Sequence, residues 1–284
     1  MIYVNDLSNS VRNAHITIYV EQLKDSMQNT MDGVFNWYMY NQLTLSIDKC
    51  NVMVINNDIH KRVTDFQIKL GSKSLKQVSS MRYLGVIIDD KLKWNEHIAH
   101  ITKRVNINNA RLRRTKKTLS QSLRLKIHNA ISVPIIDYAS TVWGNFTQGI
   151  NDEICRIEHM SARAISSNYD FINTRGASLM TDLNMTTFKT RFQYNLSLLM
   201  FKAIHGLVPD HIANMIIFTY EISNKQLRSF DNMNLYIQTK PECELFKNAL
   251  LYSGPNQWNC LPLVIKEAQN VASFKKLYKS LINL

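Results

Sequence analysis

The stretch Tyr83-Leu84-Gly85-Val86-Ile87-Ile88-Asp89-Asp90-Lys91-Leu92-Lys93-Trp94-Asn95-Glu96-His97-Ile98 divides the chain by its hydrophobic period. Tyr83 to Asp89 is a continuous apolar run rich in β-branched residues. It reads as a strand buried on both faces. From Trp94 onward the period becomes helical. Ile98, Ile101, Val105 and Leu112 form one stripe, and the predicted helix extends to about Thr118.

Upstream of this boundary the pattern mixes strands with one helix. Ala14 to Val20 alternates loosely and predicts a strand. Leu23 to Leu43 carries Leu23, Met27, Met31, Val34 and Phe35 at helical spacing. Asn51 to Asn56 predicts a short strand. Phe66 to Leu70 and Ser74 to Val78 flank Leu70-Gly71-Ser72-Lys73 as a hairpin. Downstream, Ser120 is a natural N-cap for a helix through Ile131, which Pro134 kinks or ends. Further helices are expected over Asn151–Ser166, Thr187–His205 and Ser273–Leu281. Residues 219 to 258 are less regular, with a strand at Leu235 to Gln238. The fold class expected is α+β.

The 284 residues are 45% hydrophobic and 20% charged, enough apolar material for a real core. Eight Gly and five Pro argue against a turn-rich all-β sandwich, a collagen-like chain or a Gly-rich nucleotide fold. Lys and Arg number 34 against 22 Asp and Glu, a formal charge of +12 that favours a polyanionic partner. No apolar run reaches the ~18 residues a membrane helix needs, and no signal-like segment opens the sequence, so an intracellular site and no membrane partner are expected. Cys50, Cys155, Cys243 and Cys260 are too dispersed for a disulfide framework.

The charge is concentrated. Between His97 and Ile136 there is no acidic residue, and nine cations: Lys103, Arg104, Arg111, Arg113, Arg114, Lys116, Lys117, Arg124 and Lys126. On a helix, Lys103, Arg111 and Arg114 lie roughly opposite the apolar stripe. One side can pack on a core while the other meets an RNA or DNA backbone, with salt-dependent and sequence-blind affinity. A solvated basic helix without a ligand is the bland alternative. No aromatic residue is interleaved, so base stacking by this segment itself is not expected.

Other chemistry is thin. There is no P-loop, dinucleotide fingerprint or nucleophile elbow. His97 and His100 form H-x-x-H without a nearby third ligand. Cys155 and His159, one helical turn apart, could share zinc with Cys243 and Cys260, but the paired short spacing of a zinc site is missing. Asp89-Asp90 reads as turn and helix-entry chemistry.

Several segments, taken in order, resemble the reverse transcriptases of non-LTR retrotransposons of the jockey-like kind. They are Ile2-Tyr3-Val4-Asn5-Asp6-Leu7, Trp37 with Asn41 to Cys50, Tyr83 to Asp89 with Leu92, Trp94 and His97-Ile98, Tyr138 through Trp143-Gly144, Leu207-Val208-Pro209, and Trp258-Asn259-x-Leu261-Pro262. The resemblance implies RNA-directed DNA polymerase ancestry. It implies a partial polymerase palm sheet over residues 1–90, a basic helical thumb over 91–145, and a helical C-terminal extension over 146–284. It also implies Mg²⁺ in the intact family, held by palm carboxylates. The family's Asp-Asp pair would fall just after Tyr19-Val20, where this chain has Glu21-Gln22. Glu21 is thus a degenerate metal-ligand position, and the expectation is a truncated protein, inactive alone, with no catalytic residue and no cofactor of its own. Met1 falls inside a family motif, as in a piece of a longer frame. The nucleic-acid contacts expected are Lys103, Arg104, Arg111, Arg113, Arg114, Lys116 and Lys117. Two alternatives stand beside this: a nucleic-acid-binding or protein-interaction module without a polymerase role, and a fragment that does not fold.

Overall fold

A computed structural model describes residues 13–55, 66–144, 148–222, 233–237 and 250–282. Ile2–Leu7, Asn56, Gln238 and Cys243 lie outside the described residues. The side chains of residues 13–22 and 222 also lie outside them. The chain is α+β and mainly helical, and it divides into two compact units, residues 1–97 and 98–284.

In the first unit, helix α1 (Asn13–Tyr40) runs straight through the segment expected to be a strand. Residues 14–20 are β-branched and aromatic, but such propensity is context-dependent and yields to the helix that continues from Leu23. Leu23, Met27 and Met31 pack on Val52, Phe66 and Ile68. The Gln28 amide then serves the sheet edge: its carbonyl accepts from the Lys69 N–H at 2.8 Å and its Nε2 donates to the Lys69 carbonyl at 3.0 Å. The strands are short and pair only in twos. β1 (Asn51–Val52) lies parallel to β4 (Lys76–Gln77), and β2 (Lys69–Leu70) is antiparallel to β3 (Lys73–Ser74), as the Gly71 turn predicts.

The decisive stretch is not one strand. β5 (Ser80–Tyr83) and β6 (Val86–Asp89) form a hairpin in which Tyr83 pairs with Val86. Leu84 and Gly85 make the turn, with φ of 45° and 89°. Positive φ at both positions is the signature of a type I′ turn, whose twist suits a two-residue hairpin. Only one side of β6 is inward, through Val86 and Ile88, so the strand is not buried on both faces. The Asp89 carboxylate then accepts the backbone N–H groups of Lys91 (3.1 Å), Lys93 (2.9 Å) and Trp94 (2.7 Å). These bonds hold a loop in which Leu92 and Trp94 both have positive φ. They bring the chain into α2 (Asn95–Arg114), which is shorter than its period suggested because residues 115–118 form turns.

The second unit is helical. α3 (Gln121–Ile131) begins at Ser120, whose hydroxyl accepts from the Leu123 N–H. α4 (Val133–Asp137) carries Pro134 in its first turn, where a missing N–H costs nothing. α5 (Ser140–Trp143), α6 (Gln148–Ser166), α7 (Gly176–Asp182) and α8 (Phe188–Ile204) follow. Gly206, at φ 65°, ends the run. α9 (Asp210–Ala213) and α10 (Thr219–Ile222) are single turns. The remaining helices are α11 (Leu250–Asn259), α12 (Leu263–Lys266) and α13 (Val271–Leu281). One core gathers Met200, Phe201, Trp258, Phe274 and Tyr278; another gathers Leu112, Ala162, Ile165, Leu179 and Met180. No described helix is long and apolar enough to cross a membrane.

Two segments of the resemblance are structural here. Trp143 is fully buried and stacks on Phe188 at 5.3 Å and 5°, while Asp137 accepts both-oxygen contacts from Arg191 Nε at 3.0 and 2.9 Å. Asn259 brackets Leu235 like a neighbouring strand: its Oδ1 accepts from the Leu235 N–H at 2.8 Å and its Nδ2 donates to the Leu235 carbonyl at 2.9 Å. Leu235 itself makes a single bridge to Phe218 in place of the strand expected there.

Candidate nucleic-acid interface

Helix α2 and the turn after it carry the cations. Lys103, Arg104, Arg111, Arg113, Arg114, Lys116 and Lys117 are all exposed, and none is in an ion pair among the described residues. Ile98, Ile101, Val105 and Leu112 are each at most 4% exposed. The helix thus divides as 3.6 residues per turn dictate: a sealed apolar stripe, with Lys103 and Arg114 opposite it and Arg104, Arg111 and Arg113 on the flanks. Arg111, Arg113 and Arg114 also sit in the last turn, where cations favour the helix dipole. Arg111 Nη1 donates to Asn108 Oδ1 at the outer limit of a hydrogen bond, 3.5 Å. Not all the positive charge of the segment is free. Arg124 is buried and donates to the Ala164 carbonyl at 3.3 Å and to the Ser167 hydroxyl.

A groove of about 210 Å³ opens along the Arg113 flank, between α2, α6 and the segment after α6; Asn106, Asn109, Arg113, Arg156, Met160 and Tyr169 line it. The guanidinium of Arg113 stands 6.0 Å from the centre of the Tyr169 ring. Burial raises the Tyr169 phenol above its usual range, and Arg113 and Arg124 oppose the rise, so the hydroxyl is neutral. Tyr169 is positioned by Arg163, a buried side chain that donates to the carbonyls of Asn168 (3.4 Å), Asp170 (3.1 Å) and Thr174 (2.6 Å). Asn109, Tyr169 and Arg163 were not singled out by sequence. The signal was the Asn106-x-Asn108-Asn109 cluster, poor helix formers in the middle of a helix that tolerates them.

The other sequence candidates take ordinary places. His97 Nδ1 accepts the Ile87 N–H at 3.3 Å, tying the hairpin to the start of α2. Cys155 and His159 line a second groove of about 360 Å³ with Arg156 and Phe171, against Gly176. Burial, then Glu158 and Asp152, push the Cys155 thiol up, which disfavours the thiolate a metal would need. Among the described residues no group of three His, Cys, Asp or Glu is placed so that it could hold a metal ion. Glu21 falls within α1, its side chain outside the described residues. A buried charge cluster has no counterpart among the sequence motifs. Arg191 joins Asp137 and Glu158 (3.2 Å), with His128 beside them. Burial raises both carboxyls despite the guanidinium, and burial with Arg191 lowers His128 to about 4.

Two curated proteins of Drosophila melanogaster match the chain. One is a probable RNA-directed DNA polymerase from transposon X-element, 28% identical over 130 residues, which is 45% of this chain. The other is a probable RNA-directed DNA polymerase from transposon BS, 26% identical over 133 residues, or 46% of the chain. Each match covers 14% of the relative's length. No family model and no solved structure matches the chain. Over nearly half of its length, the chain is related in sequence to these probable transposon RNA-directed DNA polymerases, of which it matches about one seventh.

Proposed function

We propose that this chain is a reverse transcriptase-like protein that grips a nucleic-acid backbone through α2 and does not polymerise by itself. The single observation that carries the grip is the run of exposed, unpaired cations over 103–117, set on a helix whose other side is sealed into a core. Such a surface neutralises phosphates and releases counterions without reading sequence. In this reading residues 91–145 act as a thumb, residues 1–90 are a palm remnant, and the C-terminal helices brace the thumb.

The inactivity rests on residue chemistry. Nucleotide addition by paired Mg²⁺ ions needs several carboxylates in one place. The corresponding position offers one carboxylate, Glu21, beside the uncharged Gln22. These residues do not fit a metal pair. Primer extension on a primed RNA template with Mg²⁺ or Mn²⁺ tests this: no extension is expected, and extension lost on Glu21→Gln would refute inactivity. A filter-binding salt titration tests the grip. Affinity should fall steeply with salt, and weak, salt-independent binding would favour a protein partner in its place.

A further inference from the structure

We infer that the groove beside Arg113 is a pocket for one unpaired base, adenine by preference, held next to the backbone that α2 grips; the inference rests on that backbone reading. Asn109 carries the argument. It is 7% exposed, it lines the groove, and neither its Oδ1 nor its Nδ2 has a hydrogen-bond partner. An amide left so in a helix that packs well elsewhere is costly, and the group that restores its bonds must both donate and accept. The side-by-side donor and acceptor of an adenine edge do so, since an asparagine can accept from the exocyclic amine and donate to the ring nitrogen.

The rest of the lining suits the same guest. Tyr169 is neutral and half-buried, and offers a ring face for stacking. Arg113 lies over that ring and supplies a cation where the base joins its phosphate. The groove, at about 210 Å³, is smaller than sites for drug-sized ligands, which span roughly 300–1,000 Å³. One planar heterocycle fits that scale. Arg156 is already engaged by Glu153 at 2.6 Å, which leaves Arg113 as the free cation at the rim.

The experiment is fluorescence anisotropy of the full chain with three RNA hairpins: one with a single bulged adenosine, one with an abasic bulge, and one fully paired. The bulged adenosine should bind about tenfold more tightly than the abasic bulge, in line with one stacked base. Asn109→Leu should erase that difference while leaving affinity for the fully paired hairpin unchanged. Tyr169→Ala, at a half-exposed position, should reduce the difference as well, and serves if the first variant does not fold. Equal binding of adenosine and abasic bulges, or a preference that survives both substitutions, overturns the pocket and leaves the backbone reading standing. Failure of all three hairpins to bind at low salt overturns the backbone reading, and the pocket with it.

Discussion

Asn109 shows how a single side chain can work against the fold that holds it. Its amide has no partner and sits on an otherwise well-packed helix. Asn109→Leu, close in shape and apolar, should therefore stabilise the protein by about 1 kcal/mol, measured by urea unfolding. A residue that weakens the fold is one that packing alone did not select. Arg191 is the opposite case: Arg191→Met strands Asp137 and Glu158 in the interior and should cost about 3–5 kcal/mol. His128 sets a pH dependence. Its folded pKa, about 4, lies below the unfolded value near 6.5, so the unfolded chain binds the extra proton between them. Stability is thus full above pH 6.5 and declines as pH falls toward 4, by up to about 3 kcal/mol. Asp137 and Glu158, raised by burial, act the other way at the acid end: their folded forms take protons first. Unfolding midpoints at pH 7, 5.5 and 4.5 should fall less steeply in His128→Gln than in the parent, and parallel curves would refute the assignment. None of this cluster was legible in sequence, because its members come from α3, α4, α6 and α8 and only packing brings them together.

At the level of elements, caps and turns were read well and strand lengths poorly. Ser120 and Gly71 act as the sequence indicates because their chemistry is local. Ser120→Ala should cost about 1 kcal/mol through the lost bond to the Leu123 N–H. The apolar run from Tyr83 misled because a hairpin with a two-residue turn leaves no polar interruption; Leu84 and Gly85 are themselves the loop. Its closing aspartate was rightly assigned to helix entry, although three backbone N–H groups on one carboxylate could not be foreseen. Asp89→Ala should destabilise the first unit by about 2 kcal/mol or more, since it leaves Leu92 and Trp94 in left-handed backbone without compensation. Ala14 to Val20 failed for the reverse reason. Its β-forming residues sit within one long helical period, and a strand needs a partner that the segment does not define.

At the level of the molecule, the cationic face was legible because charge is read directly from composition, and its exposure follows from helical geometry. Replacing Arg111, Arg113, Arg114 and Lys117 by Ala should flatten the slope of log affinity against log salt by about 3 to 4 units, measured by filter binding. An unchanged slope would move the contact elsewhere on the surface. The relation to transposon polymerases was legible from motif order, yet several of those motifs do structural work: Trp143 and Asn259 build cores and loops. The two units, each with a hydrophobic core of its own, carry a further consequence. Heating should be stepwise in calorimetry, the smaller core around Val52, Phe66 and Ile68 melting first. The cations from Lys103 onward belong to the larger body, so a protease that digests the early-melting portion should spare a polyanion-adsorbing remnant that still elutes late from heparin.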